Sequence, residues 1–277
     1  MFAQTQNELH NMKHMSILAV SLLALVACTP EKKQEADYSQ YVNPMIGTDF
    51  TGNTYPGAQV PFGMVQLSPD NGLPGWDRIS GYFYPDTTIA GFSHTHLSGT
   101  GAGDLYDISF MPVTRPYKEA PAPLGIYSTF SHNDEAASAG YYRVLLKDYN
   151  INVELTATER CGIQRYTFPE AEASVFLNLK KAMNWDFTLD SKIEVVDSTT
   201  IRGYRLSQGW SPLQHVYFET RFSKPFVACH MDTTSIVTKE KGWIGTAYVA
   251  RFDFNTKKDE EILVTTGISG VSMEGAG

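Results

Sequence analysis

The chain has 277 residues with 30 acidic and 22 Lys or Arg side chains, which gives a formal net charge of −8 at pH 7. Because proteins that bind nucleic acid through its phosphates need a basic surface, this balance excludes nucleic acid as an expected partner. It places no constraint on a neutral ligand such as a sugar.

The first 28 residues indicate export followed by lipid attachment. Lys13 and His14 precede an apolar run over residues 16–27, and a basic flank before a short apolar core is typical of a secretory signal. The run is shorter than the roughly 20 residues that a membrane-spanning helix needs. The tetrapeptide LVAC at 25–28 resembles the bacterial lipobox, in which the cysteine is lipidated and becomes the mature N-terminus. We therefore expect an exported protein anchored at Cys28 to the outer membrane; the alternative is a signal peptide in which Cys28 is incidental.

Two segments without helical periodicity follow the leader. Residues 29–40 are polar and charged, which is typical of a flexible tether, so we expect the globular part to begin at residue 41. Residues 41–73 are rich in glycine and proline, and only residues 64–67 show the pattern of a short strand. Further along, Cys161 and Cys229 could pair in an oxidising compartment, but the sequence equally allows two free thiols.

An aromatic cluster beside charged residues occupies residues 75–84. Trp76 and Asp77 lie between Gly75 and Arg78, and Tyr82 follows among further aromatic residues. Aromatic faces stack on the C–H groups of sugars and carboxylates accept from hydroxyls, so this segment is a candidate sugar platform. The alternative is that Trp76 belongs to the core. Its glycine and aspartate neighbours place Trp76 on a loop, where binding residues are common.

Residues 91–107, GFSHTHLSGTGAGDLYD, form the segment around which the chain is organised. Ordering so many glycines costs conformational entropy, which ligand binding or tight packing must recover. His94 and His96 are two residues apart, so an extended backbone directs both rings to one face. Three interpretations stay open: a buried loop with histidines bonded to backbone, half of a metal site, or one wall of a polar pocket for a hydroxyl-rich ligand. Asp104 and Asp107 allow an acid–base pair, although capping of the loop is the simpler role.

From Asp107 onward apolar and polar residues alternate, which predicts half-buried strands. The alternation is clearest over residues 151–158 and 215–222. Turn-forming residues separate the segments, no sustained helical period appears, and about 240 residues after the leader suffice for one large domain. The pattern predicts an all-β protein built as a large antiparallel sandwich. The further predicted strands cover residues 108–113, 141–146, 163–168, 174–179, 200–206, 226–230, 243–254 and 261–268.

Seven motifs in a fixed order give the chain a resemblance to a known family. They are NPMIGT at 43–48, YPGA at 55–58, PFGM at 61–64, LSPD at 67–70, GWD at 75–77, SGY at 80–82 and the segment 91–107. Together they resemble the N-terminal domain of glycoside hydrolase family 92, a family of exo-acting, calcium-dependent α-mannosidases. The resemblance extends from about residue 41 to the C-terminus; it is specific in its first third, and the strand-rich remainder agrees only in pattern.

The resemblance implies a two-domain enzyme that inverts the anomeric centre. Its first domain is a β-supersandwich of the galactose-mutarotase-like kind, its second is an (α/α)6 barrel, and the active site lies between them. In the family the general acid and base, and most ligands of Ca²⁺, belong to the barrel. That barrel is absent from this chain. We therefore expect residues 41–270 to be the substrate-facing domain and residues 271–277 to begin the linker, with no catalytic residue in the chain itself.

Residue by residue, the resemblance implies a wall that contacts a mannose-containing glycan. Trp76 and Asp77 would contact the sugar, and Asp104 would organise the loop through hydrogen bonds. Arg78-Ile79 stand where two small residues are expected after Trp-Asp, a departure that bears on the leaving-group side of the pocket. The implied substrate-binding residues are Trp76, Asp77, Tyr82, His94, His96, Ser98 and Asp104, and no metal ligand is assigned in this chain.

The leading hypothesis is the substrate-facing domain of an exported α-mannosidase for α-1,2 or related linkages, with its own C-terminal catalytic domain as partner. On this hypothesis the chain alone is inactive. A second hypothesis is a lipid-anchored glycan-binding protein without catalysis. A third is a metal-dependent hydrolase built on His94 and His96.

Overall fold

The computed structural model describes residues 37–180, 185–238 and 243–277. The predicted leader, the predicted lipidation site at Cys28 and most of the predicted tether lie outside these residues. No helix in the described part is long and apolar enough to cross a membrane. Short 3-10 helices cover Ser39–Tyr41, Trp76–Arg78, His132–Asp134 and Glu274–Ala276. The strands are β1 (Ala58–Gln59), β2 (Gln66–Asp70), β3 (Thr88–Ile89), β4 (Gly91–Ser93), β5 (Ser109–Thr114), β6 (Glu119–Ala120), β7 (Gly125–Ile126), β8 (Ser128–Thr129), β9 (Glu135–Ser138), β10 (Tyr141–Leu146), β11 (Ile151–Ala157), β12 (Cys161–Phe168), β13 (Ala171–Asn178), β14 (Phe187–Val195), β15 (Thr200–Gln208), β16 (Gln214–Phe222), β17 (Ala228–Thr238), β18 (Trp243–Thr256) and β19 (Glu260–Ser269).

Two large antiparallel sheets form the body of the unit Ser39–Gly277. The seven-stranded sheet has the order β1-β2-β4-β5-β13-β18-β17, and the eight-stranded sheet has the order β14-β15-β16-β19-β12-β11-β10-β9. Two further pairs, β3-β8 and β6-β7, are small. The prediction of an all-β antiparallel sandwich is therefore confirmed.

The core lies between the two sheets. Phe222, on β16 of the eight-stranded sheet, meets Phe110, Phe252 and Phe254 of the other sheet at ring-centroid distances of 6.5, 5.3 and 5.6 Å. All four rings are buried, and burying each such side chain contributes about 1.5–3 kcal/mol. The alternation seen in the sequence supplies these rings, because every second residue of a strand faces the core.

Most predicted strands are present within one to three residues of their predicted bounds, although β17 extends to Thr238 where the predicted strand ended at residue 230. The short strands β1, β3, β4 and β6–β9 were not predicted, and the nine-residue β14 was also missed. Its burial pattern changes phase, because the pairing with β15 slips between Thr188 and Asp190. Such a β-bulge breaks the period-two alternation by one residue, so the segment does not show a strand pattern over its full length. Cys161 and Cys229, whose pairing the sequence left open, are free thiols.

Several loops gather at one end of the sandwich. In one sheet β4 ends and β5 begins beside the end of β13, and in the other β14 begins beside the end of β15. Arg205 of β15 bonds to Asp107 of the β4–β5 loop, so these strand ends of the two sheets lie at the same end of the sandwich. We call the segments 94–108, 185–186 and 209–213 the loop end of the sandwich.

Candidate functional site

The loop-end segment 94–108 holds an unusual backbone. Leu105, Tyr106 and Ile108 have φ values of 84°, 65° and 54°, in the left-handed region that residues other than glycine rarely adopt. Such conformations cost on the order of 1–3 kcal/mol each and persist only where surrounding contacts enforce them. The Tyr106 hydroxyl, for example, donates to the Ile79 carbonyl. Strain concentrated in one segment is typical of ligand-binding loops, so segment 94–108 is taken as the centre of the candidate site.

His94 is fully buried beneath this segment. Its Nδ1 lies 2.7 Å from the Ile108 carbonyl oxygen, and since a carbonyl only accepts, Nδ1 carries the proton. Its Nε2 is buried without a hydrogen-bond partner among the described residues, and a methyl group at Gly162 would come within 2.8 Å of it. Burial lowers the pKa of His94 to about 4, because the charged ring would bury a second N–H without an acceptor. His94 is therefore a neutral ring that supports the segment from inside.

His96 is also buried, but both of its ring nitrogens are bonded. Nδ1 lies 2.7 Å from the Gln66 carbonyl oxygen, and Nε2 lies 2.9 Å from Oδ1 of Asp70 and 3.1 Å from the Ser93 hydroxyl. Gly81, at φ +90°, packs on this pair, since a methyl group there would lie 2.7 Å from Oδ1 of Asp70 and 3.0 Å from Cδ2 of His96. The two histidine rings are thus held by different protein groups and not by a shared partner.

A buried charged network joins the loops of the loop end. Arg205 is fully buried on β15 and donates to Oδ1 of Asp107 at 2.6 Å and to Oδ2 of Asp186 at 2.7 Å. The other oxygen of Asp107 accepts from Thr95 at 2.7 Å and from Gln214 at 3.0 Å. Burial raises the pKa of Asp186 to about 6 in spite of Arg205. Burial also opposes the charge of Arg205, yet the two carboxylates hold its pKa above the usual range. One guanidinium therefore ties the loops to β15.

Asp104 connects two loops of the loop end. Its Oδ2 accepts from the backbone N–H groups of Trp210 at 2.7 Å and Ser211 at 3.2 Å. Gly209 lies so close that a methyl group there would be 2.3 Å from Oδ1 of Asp104. Asp104 is only 5% exposed, whereas Trp210 is 83% exposed. The carboxylate organises the turn 209–213, and the turn presents its indole outward.

Trp76 and Asp77 begin a short 3-10 helix against the same glycine-rich loop. A methyl group at Gly101 would lie 3.1 Å from Cη2 of Trp76, so the indole covers that glycine. Trp76 nevertheless remains 59% exposed. Within the described part of the chain, no hydrogen bond to the half-buried Asp77 carboxylate is found. Ser98 is exposed in the same loop. This surface therefore combines an aromatic face with polar groups that are able to bond to a ligand.

Tyr82 is fully buried behind this surface. Its hydroxyl lies 3.0 Å from both oxygens of Glu135, which also accepts from Tyr142 at 2.6 Å and from Nδ1 of His132 at 2.7 Å. Burial raises the pKa of Tyr82 above its usual range, so the hydroxyl stays protonated and donates. The side chain lies in the interior and supports the wall from there.

The two residues that depart from the family pattern, Arg78 and Ile79, are both held by neighbouring protein groups. Nε of Arg78 lies 2.6 Å from Oδ2 of Asp86, and the guanidinium lies 4.7 Å from the ring centroid of Phe83. Ile79 is fully buried. Ile79 therefore takes no part in the surface beside Trp76, whereas the partly exposed Arg78 guanidinium lies next to Gly75 at the border of that surface.

No group of three or more His, Cys, Asp or Glu side chains within the described ranges is arranged to hold a metal ion. The acidic side chains of the loop end already accept from protein donors: Asp107 and Asp186 from Arg205, and Asp104 from the turn that follows β15. A calcium ion takes about six to eight oxygen ligands. These residues do not fit a calcium ion on their own.

The structure divides the predicted site residues into two sets. Those at or near the surface surround the glycine-rich loop, and those in the interior hold that loop in place. The first set contains Trp76, Asp77 and Ser98; the second contains Tyr82, His94, His96 and Asp104.

Sequence reasoning did not single out Arg205, Asp186 or Trp210. For Arg205 a signal exists, because it shares the inward positions of β15 with Ile201 and Gly203, and a charged residue in a buried register indicates an internal ion pair. For Trp210 the signal is an aromatic residue after glycine in a turn between two strands. Asp186 follows a segment without clear periodicity, and no sequence signal identifies its partner.

Comparison with known proteins adds a family and its relatives. The family model described as the glycosyl hydrolase family 92 N-terminal domain matches residues 41–269. A family GH92 alpha-mannosidase of Bacteroides thetaiotaomicron, solved in complex with mannoimidazole, is 39% identical, with a TM-score of 0.77, and the match covers 86% of this chain and 33% of that one. A family GH92 inverting mannosidase of the same species is 26% identical, with a TM-score of 0.70, over 88% of this chain and 33% of that one. An uncharacterized secreted glycosidase of Arthroderma benhamiae is 26% identical over 58% of this chain and 21% of its own length. The chain thus spans about a third or less of the length of these relatives.

Proposed function

The chain belongs to glycoside hydrolase family 92 through the N-terminal domain of that family, and from that premise we propose that it forms the substrate-facing wall of an exo-acting α-mannosidase. The substrate class is mannose-containing glycans, and the linkages are α-1,2 or related ones. Support comes from the relative that is 39% identical and named an alpha-mannosidase, whose structure holds mannoimidazole. The second relative is named an inverting mannosidase, which supports inversion here.

The observation that carries the proposal is the exposed surface around Trp76. The indole is 59% exposed and backed by Gly101, and the neighbouring Asp77 carboxylate is available to accept. A pyranose presents a C–H face that packs on an aromatic ring and hydroxyls that donate to a carboxylate. We propose that the terminal mannose packs on Trp76, with its hydroxyls oriented by Asp77 and Ser98.

We propose that the general acid and base act from a C-terminal catalytic domain outside this chain. An inverting glycosidase needs one carboxyl group to protonate the leaving oxygen and a second to activate water on the opposite face of the ring. Asp107 and Asp186 accept from the buried Arg205, and Asp104 accepts from the backbone of the turn 209–213, so we assign all three to holding the loops. The share of this chain in the reaction is to bind the sugar, to orient it and to exclude water from one side.

Calcium enters the proposal as a cofactor of the whole enzyme, with ligands mainly from another domain. When bound, it would coordinate sugar hydroxyls through its preference for oxygen ligands. Because the described residues do not fit the ion on their own, no step assigned to this chain depends on it.

We also propose that the protein is exported and anchored to the outer membrane by lipid at Cys28. The lipobox-like tetrapeptide at residues 25–28 supports the anchor, and the relative named a secreted glycosidase supports export. Metabolic labelling with a radioactive fatty acid checks this point, since a Cys28→Ala variant should carry no label.

The proposed function predicts that release of mannose requires both calcium and the proposed catalytic domain. We call the longer protein a chain that continues past Gly277 into that domain. It is compared with the chain of residues 29–277 on α-1,2-linked mannobiose, each with calcium and with a chelator. Free mannose should appear only with the longer protein and calcium. Failure of that protein to release mannose from any α-linked mannobiose would count against the proposal.

A lipid-anchored glycan-binding protein without catalysis is the second candidate function. The observation that favours it is that the loop-end carboxylates serve structural contacts, while the surface around Trp76 remains open to a sugar. The same experiment separates the two candidates. Calorimetric binding of mannobiose without release of mannose by the longer protein would support this second function.

Replacing Trp76 by alanine in the longer protein is expected to lower kcat/KM for mannobiose at least about 30-fold, equivalent to about 2 kcal/mol, because a tryptophan that anchors a ligand contributes on that scale. Trp76→Phe should retain part of the activity, since an aromatic face remains. Val227→Ala, which truncates an exposed side chain beyond the end of β16 that lies away from the loop end, serves as the control and should behave as wild type. Equal kinetics for Trp76→Ala and Val227→Ala would contradict the assignment.

A further inference from the structure

We infer that Trp210 is a second sugar-binding platform of this wall and that it contacts the sugar on the leaving-group side of the scissile bond. The inference rests on the proposed function, because it assigns a further specificity-determining residue to the same surface. Three observations carry it: the exposure of the indole, the fixation of the turn that bears it, and its position relative to Trp76.

The indole of Trp210 is exposed although its backbone is firmly held. The side chain is 83% exposed. The turn is fixed by the two N–H donors to Asp104, by the Gly209 N–H to the Ser211 carbonyl at 3.0 Å, and by the Ser211 hydroxyl to the Leu213 carbonyl at 3.3 Å. An indole that stays in water contributes little to folding, and a fixed backbone lowers the entropic cost of binding a ligand. The arrangement therefore favours a role in ligand binding.

Only glycine fits at position 209, where the turn contacts Asp104. A methyl group at Gly209 would lie 2.3, 2.5 and 2.7 Å from the carboxylate atoms of Asp104. Burying a carboxylate is costly unless it accepts hydrogen bonds. Here two backbone N–H groups of the turn bond to Oδ2, while Oδ1 lies buried against Gly209 without a donor among the described residues. A buried charge and a glycine thus both serve to position the backbone that carries the indole. Asp104 acts as a positioning residue for Trp210.

Trp210 and Trp76 flank one short stretch of the glycine-rich loop. Trp76 covers Gly101, and the turn of Trp210 is bonded to Asp104. Gly101 and Asp104 are three residues apart, so their Cα atoms lie at most about 11 Å from each other. Trp76 and the turn that bears Trp210 therefore contact the same short stretch of the loop. Trp76 lies beside Asp77 and is assigned to the terminal mannose. Trp210 is therefore assigned to the neighbouring sugar.

The test compares free mannose, which would occupy only the position beside Trp76, with mannobiose, which would occupy the positions beside Trp76 and Trp210. In the longer protein with calcium, KM is measured for α-1,2-linked mannobiose, and the inhibition constant is measured for free mannose. Trp210→Ala should raise KM for mannobiose about tenfold and leave the inhibition constant of mannose unchanged. Trp210→Phe should restore most of the loss. Trp76→Ala should weaken both ligands.

Val227→Ala, at an exposed position between β16 and β17, is the control and should change neither constant. The inference is overturned if Trp210→Ala leaves KM for mannobiose unchanged or weakens mannose and mannobiose equally. It is also overturned if both Trp210 variants lower the melting temperature together with activity, because the indole would then pack against another protein surface. If the wild-type protein releases no mannose at all, the proposed function fails instead.

Discussion

Replacing Arg205 by methionine is expected to lower the free energy of unfolding by about 3–5 kcal/mol. Arg205 is fully buried, with Asp107 at 2.6 Å and Asp186 at 2.7 Å. Methionine preserves much of the side-chain volume, so the loss comes from two carboxylates left in the interior without their cation. The free energy of unfolding of an ordinary domain is about 5–15 kcal/mol in total, so the variant loses a large share of its stability. Urea unfolding at pH 7.5, followed by tryptophan fluorescence, measures the change.

The pH dependence of this variant distinguishes lost charge pairing from lost packing. Burial already raises the pKa of Asp186 to about 6 in the intact network, and removal of Arg205 raises it further. A carboxyl group whose folded pKa lies above its unfolded value stabilises the fold at low pH, and that stability is lost as the pH rises through the folded pKa. The destabilisation of Arg205→Met should therefore shrink between pH 7.5 and pH 5. A deficit that is constant over this range would point to packing.

Arg202 supplies the matched control for Arg205. It lies three residues earlier on β15, on the outward side, and pairs with the surface residue Glu194 at 2.8 Å. Exposed ion pairs contribute little because water and salt screen them. Arg202→Met should therefore unfold close to the wild-type urea midpoint. Equal destabilisation by the two substitutions would show that the buried network has no special role.

The fold was predictable where one period of alternation holds over a whole strand. The strand at Tyr141–Leu146 was predicted with the bounds that the structure shows, since its fully buried residues keep one phase from end to end. The strand Phe187–Val195 was missed because a bulge after Thr188 shifts its phase. Register between strands follows from long-range pairing, which a local pattern does not encode.

The surroundings of the predicted site residues could be inferred from the sequence only in part. The sequence indicated that Trp76 lies on a loop and that His94 and His96 belong to one segment. It did not reveal that the two rings have different environments, because the partner of His94 is a carbonyl at residue 108, while His96 bonds to Gln66 and Asp70. These partners meet only through the pairing of β2 with β4 and the path of the strained loop.

The buried His94 is expected to make the fold less stable in acid by about 3 kcal/mol. Its pKa is about 4 in the folded protein and about 6.5 in an unfolded chain. Between these values the unfolded state binds more protons, so this contribution is complete above pH 6.5 and is lost as the pH falls towards 4. A difference of about 2.5 pKa units corresponds to about 3 kcal/mol. His94→Asn, which keeps a donor near the position of Nδ1, removes the titrating ring.

The comparison of wild type with His94→Asn isolates this contribution, since the opposite effect of Asp186 is common to both proteins. The stability advantage of wild type, measured by urea unfolding from pH 7.5 down to pH 4.5, should shrink steadily below pH 6.5. Tyr106→Phe is the control, because it removes a neutral hydrogen bond in the same segment and should give a curve parallel to wild type. Nitrogen NMR shifts of His94 should show the neutral Nδ1–H form down to about pH 5. A wild-type advantage that stays constant with pH would mean that His94 titrates alike in both states, and the loop would then not depend on a neutral ring beneath it.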